Sequence, residues 1–269
     1  MKIVDLSHDW SVNTPGWTGY PGQKVYFAQR MHTTRAVAQV IETSLHVGTH
    51  IDGPMHAADG GSDIASVPLD RLVHEGVVVD LREDVDDWSI IYPEMITSKV
   101  EVKKGDVLIM FTGYRDYFYG MPKMDLNRYF NMHPGSGMEM CDWAEEMQLS
   151  WFGVDCGGGD HPMNSPIKYL RPDLVTKFEK KVGKKLEEVF PPYTYTHTSG
   201  RVVEDDMLPM HYKLFPQGII HSENVGGDLE KVANQRCVIG AFPWKFVGGE
   251  SSICRIVAFL DTDLEVVLG

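Results

Sequence analysis

Residues 46–56 read HVGTHIDGPMH, with His46, His50, Asp52 and His56 inside one short stretch. All four positions are even-numbered, so in an extended strand, where side chains alternate, they leave from one face. A helix would also align His46 with His50, the spacing of HExxH zinc helices. Gly48, Gly53 and Pro54 argue against a helix, and the preceding VAQVIETSL (37–45) favours β-structure. The stretch therefore reads as a strand end running into a Gly-Pro turn. Two imidazoles and a carboxylate facing one way suit a divalent metal and leave positions open for water and substrate. Crowding such groups together is costly without a cation. Gly48 and Gly53 would let backbone approach closely, and Thr49 is a candidate to orient a ligand. His56, beyond the turn, is placed for a base or acid beside the metal rather than for a further ligand.

Outward from this stretch, short β-like runs recur: KIVDLS (2–7), KVYFAQ (24–29), AVAQVIETSLHV (36–47), GVVVDL (76–81), DVLIMFT (106–112), SWFGVD (150–155), GIIHSEN (218–224), CVIGAFPW (237–244) and ICRIVAFLD (253–261). Several are nearly continuous in Val, Ile, Leu and Phe, as expected of strands covered on both faces. Helix-like segments are fewer: PEMITSK (93–99), MEMCDWAEEMQ (138–148) and the charged, amphipathic LVTKFEKKVGKKLEEVF (174–190). The reading is an α/β chain, a mixed sheet or irregular barrel core with peripheral helices. It forms a single domain over 1–269, with no composition shift or internal repeat to divide it. The irregular region 157–216 reads as a functional lid or an oligomer contact.

Composition narrows the function classes. The chain has 269 residues, 43 % apolar and 23 % charged, with a formal charge of −13. That acidity speaks against a nucleic-acid surface and against docking on anionic membranes. No run approaches the ~18 apolar residues of a membrane helix. MKIVDLSHDW shows no signal-peptide core, so a cytoplasmic location is expected. Cys141, Cys156, Cys237 and Cys254 have no CxxC spacing and are read as reduced and buried. GxSxG, GxGxxG and GxxxxGK[ST] are all missing, so neither a serine hydrolase elbow nor a nucleotide loop is implied.

HVGTHIDGPMH resembles the HxGTHxDxPxH signature of the cyclase family of metal-dependent hydrolases, which includes bacterial kynurenine formamidase and isatin hydrolase. The resemblance continues in VDLSHDWSVNTPGWTGYPG (4–22), in WFGVDCGGGDHPMN (151–164), whose DHPMN portion is similar to isatin hydrolases, and in HYKLFPQGIIHSENV (211–225). It implies a swivelling β/β/α domain, a homo-oligomer (dimer or tetramer), and zinc or manganese as one or two ions. By the same resemblance His46, His50 and Asp52 are metal ligands and His56 is the catalytic histidine. His211 and Glu223 become further ligands or substrate contacts. On residue chemistry alone, Glu223 and its neighbour His221 read equally well as surface residues of a strand.

The long interval before HYKL and the DHPMN loop shift the expected substrate, a small molecule, from N-formylkynurenine toward an isatin-like cyclic amide opened by metal-activated water. Asp160, His161 and Asn164 are candidate pocket residues in that loop. Trp17, Tyr20 and Phe27 are candidates for an aromatic wall against a planar ring. Linear arylformamide, lactone and imide hydrolysis remain as alternatives. So do a dehydratase or polyketide-type cyclase, and a non-catalytic metal- or ligand-binding protein of the same fold.

Overall fold

The computed structural model describes residues 1–269. Its strands are β1 (Lys2–Asp5), β2 (Lys24–Gln29), β3 (Ala38–Glu42), β4 (His50–Asp52) and β5 (Val73–Asp80). They continue with β6 (Ile90–Ile91), β7 (Val107–Phe111), β8 (Gly135–Ser136), β9 (Trp151–Val154) and β10 (Tyr193–Thr196). The last are β11 (Val202–Asp205), β12 (Ile220–Glu223), β13 (Gln235–Pro243) and β14 (Ser251–Leu260). The main sheet runs β1-β14-β13-β5-β7-β9-β12-β4, and β4 pairs back onto β14. Seven strands thus close into a mixed barrel, with β1 added outside on β14. The barrel with helices around it is the α/β architecture expected from the sequence.

The segment β5-β7-β9-β12 is parallel, and β13, β14 and β4 join antiparallel. Strands β7 (VLIMF) and β9 (WFGV) are buried at every position. Period-two alternation divides their side chains between two cores. Val107, Ile109, Phe111 and Trp151 face an inner core with Ile51, Ile220 and Ile256. Leu108, Met110 and Phe152 face an outer core with Met140, Cys141 and Ala144 from the helix Met138–Glu146. Trp151 is fully buried and its indole N–H donates to the Leu72 carbonyl. Trp151→Ala should therefore lower unfolding free energy by about 3–5 kcal/mol, read from the urea midpoint at unchanged slope.

Two sequence expectations change. The run 36–47 is not one strand leading to the histidines. β3 pairs with β2 in a largely exposed ribbon outside the barrel, and the chain then turns at Gly48 (φ +66°) before entering the barrel as β4. The charged run 174–190 is two helices, Pro172–Val182 and Leu186–Val189, because Gly183 adopts the left-handed conformation (φ +72°) that ends the first. The four cysteines are free and buried, as read from their spacing. No helix is long and apolar enough to cross a membrane.

Candidate metal centre

β4 is only three residues long, yet it carries His50 and Asp52 into the barrel wall between β12 and β14. Antiparallel register sets Glu223 of β12 opposite His50, which brings His221 opposite Asp52. Both pairs lie on one face by alternation. His46 does not belong to this strand. It reaches the same place through the left-handed turn at Gly48, where a Cβ would come within 3.2 Å of the Thr14 methyl. Gly53 closes the other end: its N–H donates to the Glu250 carbonyl at 2.8 Å, and a Cβ there would crowd that oxygen at 3.2 Å.

The hydrogen bonds around the ring nitrogens fix which atoms face inward. His50 Nδ1–H donates to the Gly48 carbonyl (2.8 Å), leaving Nε2 bare. His46 Nε2–H donates to Glu250 Oε2 (2.9 Å), leaving Nδ1 bare. These two bare nitrogens lie 3.2 Å apart, and Asp52 Oδ1 lies 3.1 Å from His46 Nδ1 and 3.5 Å from His50 Nε2. Donors held ~2.1 Å from one cation lie about 3.0–3.4 Å from each other. Asp52 Oδ1 is also a buried acceptor with no hydrogen-bond donor. Three electron pairs converging on one point, with no proton among the neutral tautomers, repel unless a cation lies between them. The residues present fit a divalent metal.

The charges agree. Burial disfavours ionisation throughout, yet the Asp52 and Glu250 carboxylates, which would both accept from a ring protonated on each nitrogen, push the His46 imidazole up to about 11. Against its own burial, Asp52 is held well below the usual carboxylate range by the surrounding histidines. The site thus takes positive charge avidly, and a metal ion and a proton compete for it.

A second group of donors adjoins the first. Asp52 Oδ2 accepts from His221 Nε2 at 3.0 Å, and Glu223 Oε1 lies 3.3 Å from the same nitrogen. These two carboxylates outweigh burial and push His221 up to about 9. His211 completes the cluster of Asp52, His211, His221 and Glu223. Its Nδ1–H donates to Asp160 Oδ2 (2.6 Å), which frees Nε2, while burial holds the ring below its ordinary pKa. Asp52 offers one oxygen to each group.

His56 lies in the 3-10 turn Pro54–His56, its ring centroid 4.3 Å from His46 and 5.6 Å from His211. Its Nδ1–H donates to Glu250 Oε2 at 2.9 Å, the same oxygen that His46 uses. His46, His56 and Glu250 are therefore a hydrogen-bonded unit with protons in place, and His56 keeps a free Nε2. Burial opposes it, but the two histidines hold Glu250 down to about 2.

His46, Asp52, His56, His211 and Glu223 floor a cavity of about 230 Å³ whose lining includes Trp17, Tyr20, Phe130, His133, Asp160 and Tyr212. Tyr20 stacks on His46, with centroids 5.2 Å apart and planes at 8°. The structure thus brings together His46, His50, Asp52, His56, His211 and Glu223, with Trp17, Tyr20 and Asp160 in the wall. Phe27 does not join them: it is 44 % exposed on the β2–β3 ribbon with Arg30 over its ring. His161 is buried beside the cavity, donating Nε2–H to the Trp88 carbonyl and accepting from Met163 N–H. Asn164 uses its carbonyl to accept from Leu208 N–H and does not line the cavity. Thr49 serves the backbone instead of a ligand, binding the Asn224 carbonyl and His8 N–H. Sequence reasoning missed His221 and Glu250. His221 had a usable signal, two positions from Glu223 on one strand face; Glu250 had none.

Comparison with known proteins follows the same lines. The Cyclase family model matches residues 4–161, more than half of the chain, including HVGTHIDGPMH. A kynurenine formamidase from Salinibacter ruber is 29 % identical over 84 residues, which are 30 % of this chain and 40 % of that protein. One from Erythrobacter litoralis is 34 % identical over 85 residues, 30 % of this chain and 38 % of that protein. The match thus spans well under half the length of these relatives. Among solved structures, isatin hydrolase A from Labrenzia aggregata superposes with a TM-score of 0.70 at 19 % identity, over 96 % of this chain and 93 % of that one. The signature, its place in the barrel and the family match coincide, and the chain belongs to the Cyclase family.

Proposed function

We propose that the protein is a metal-dependent hydrolase that opens a small cyclic amide of the isatin type. The observation that carries this reading is the convergence of His46 Nδ1, His50 Nε2 and Asp52 Oδ1 on one point beside the free Nε2 of His56. His46, His50 and Asp52 would hold the ion, with His211, His221 and Glu223 beside them as further ligands or substrate contacts. Imidazole and carboxylate donors suit Mn²⁺ or Zn²⁺. Such a cation, when bound, supplies Lewis acidity that polarises the amide carbonyl and makes water a competent nucleophile near neutral pH.

The chain's own groups do the rest. Glu250 holds the His56 tautomer, so that Nε2 accepts a proton from the attacking water and returns it to the leaving nitrogen. Asp160 fixes His211 in the same manner. A cavity of about 230 Å³ is smaller than the ~300–1,000 Å³ of drug-sized sites. With Trp17, Tyr20 and Phe130 in its wall, it suits one or two fused planar rings better than a long linear side chain.

The test is elemental analysis of the purified protein together with assays on isatin, N-formylkynurenine, simple lactones and imides. A chelator should abolish hydrolysis and added Mn²⁺ or Zn²⁺ restore it. Metal content should also fall as pH is lowered from 7 to 5, because protons compete for the imidazoles. Turnover of N-formylkynurenine without isatin would replace the cyclic amide by a linear one. Full activity in excess chelator, with no metal detected, would overturn the reading.

A further inference from the structure

His133 stands apart from the two donor groups, in the cavity wall. It is 2 % exposed, and its Nδ1 lies 2.8 Å from the Pro134 carbonyl. A carbonyl only accepts, so the proton is on Nδ1 and Nε2 carries a lone pair. Burial pushes the imidazole down to about 4, which keeps the ring neutral. Nε2 has no hydrogen-bond donor within the chain. Gly158 lies between it and Glu223: a Cβ built there would lie 3.7 Å from His133 Nε2 and 3.7 Å from Glu223 Oε1. The bare nitrogen and the edge of the metal cluster are thus separated by no more than the width of a small ring system, across a glycine that leaves the space clear.

We propose that His133 Nε2 accepts a hydrogen bond from an N–H of the substrate, so that the pocket selects a secondary amide over its N-substituted counterpart. The proposal rests on the hydrolase reading above for the identity of the bound molecule as substrate. A buried acceptor discriminates because a molecule without the donor leaves it unpaired, and the site rejects that molecule. A lactone, which has oxygen in place of N–H, is disfavoured by the same lone pair.

The probes are isatin and N-methylisatin, used with the metal-loaded full-length protein. His133→Phe keeps a planar ring and removes the acceptor; His133→Gln restores an amide oxygen near the Nε2 position. Wild type should favour isatin in kcat/KM by about tenfold or more, the loss expected for one buried hydrogen bond. In His133→Phe the isatin to N-methylisatin ratio of kcat/KM should collapse toward one, by loss on isatin, by gain on N-methylisatin as the unpaired acceptor disappears, or by both, and His133→Gln should regain part of the preference. A preference that survives intact in His133→Phe reports a steric clash with the methyl group and overturns the proposal, as does equal turnover of both by wild type.

Should wild type with bound metal hydrolyse neither compound, the isatin-type reading fails, and equilibrium binding of the same two molecules decides this one. Tighter binding of isatin to wild type that vanishes in His133→Phe supports the contact; equal affinities in wild type overturn it. If His133→Phe fails to fold, the Gln variant and His133→Asn, which has no acceptor at the Nε2 position, carry the same comparison.

Discussion

Asp52→Ala is expected to strip the protein of metal and to lower kcat/KM by at least ~10³-fold. Asp52 faces both donor groups, Oδ1 toward His46 and His50 and Oδ2 toward His221. Its loss removes a negative charge that two histidines depend on, and it leaves His221 buried with Glu223 as its remaining carboxylate. Thermal stability should fall as well, because a buried imidazolium without its partner is costly. Asp52→Asn separates shape from charge: the amide fits the space yet cannot balance a divalent ion. The measurements are metal stoichiometry by elemental analysis and the melting temperature of each variant. Stoichiometric metal in Asp52→Ala would show that the centre lies elsewhere.

His56→Ala should behave in the opposite way, keeping its metal and losing ~10²–10⁴-fold in kcat with little change in KM. The ring contributes a proton acceptor, and its only side-chain hydrogen bond runs to Glu250. Glu250→Gln should weaken the orientation of His56 and cost ~10–100-fold in kcat. Glu250 also holds His46, so the comparison is made at saturating metal; there the double variant should be no slower than His56→Ala alone, and additive losses would separate the two residues. A fully active His56→Ala protein would remove the proton-transfer role altogether.

What was readable beforehand follows from how far each signal travels along the chain. His50 and Asp52 are two positions apart on one strand, so alternation alone sets them side by side. His46 shares their face by a different route, a left-handed glycine turn, and the even-number pattern reached the correct grouping although the strand is shorter than expected. The buried runs VLIMF and WFGV announce strands covered on both faces. His221 depends on a pairing between β12 and β4 that bridges 169 positions, and Glu250 on one that bridges 194 to His56. Local pattern carries no information about such register. Phe27 failed for the same reason: nothing within KVYFAQ distinguishes a strand of the barrel from one arm of an external ribbon.

The shortest barrel strand has a consequence for the whole molecule. β4 closes the ring of strands against β12 on one side and β14 on the other, and it does so with three residues, two of which are candidate ligands. Register pairs join β4 to β12 at two positions and to β14 at three, so a cation bound there would act as a rivet between distant parts of the chain. Folding and metal affinity are then thermodynamically linked: each tenfold excess of free metal over its Kd adds about 1.4 kcal/mol to the stability of the closed barrel. In hydrogen exchange, the amides of β4 and of the facing β12 should be the ones whose protection tracks metal concentration most steeply, while those of β5 and β7, on the far side of the ring, respond least.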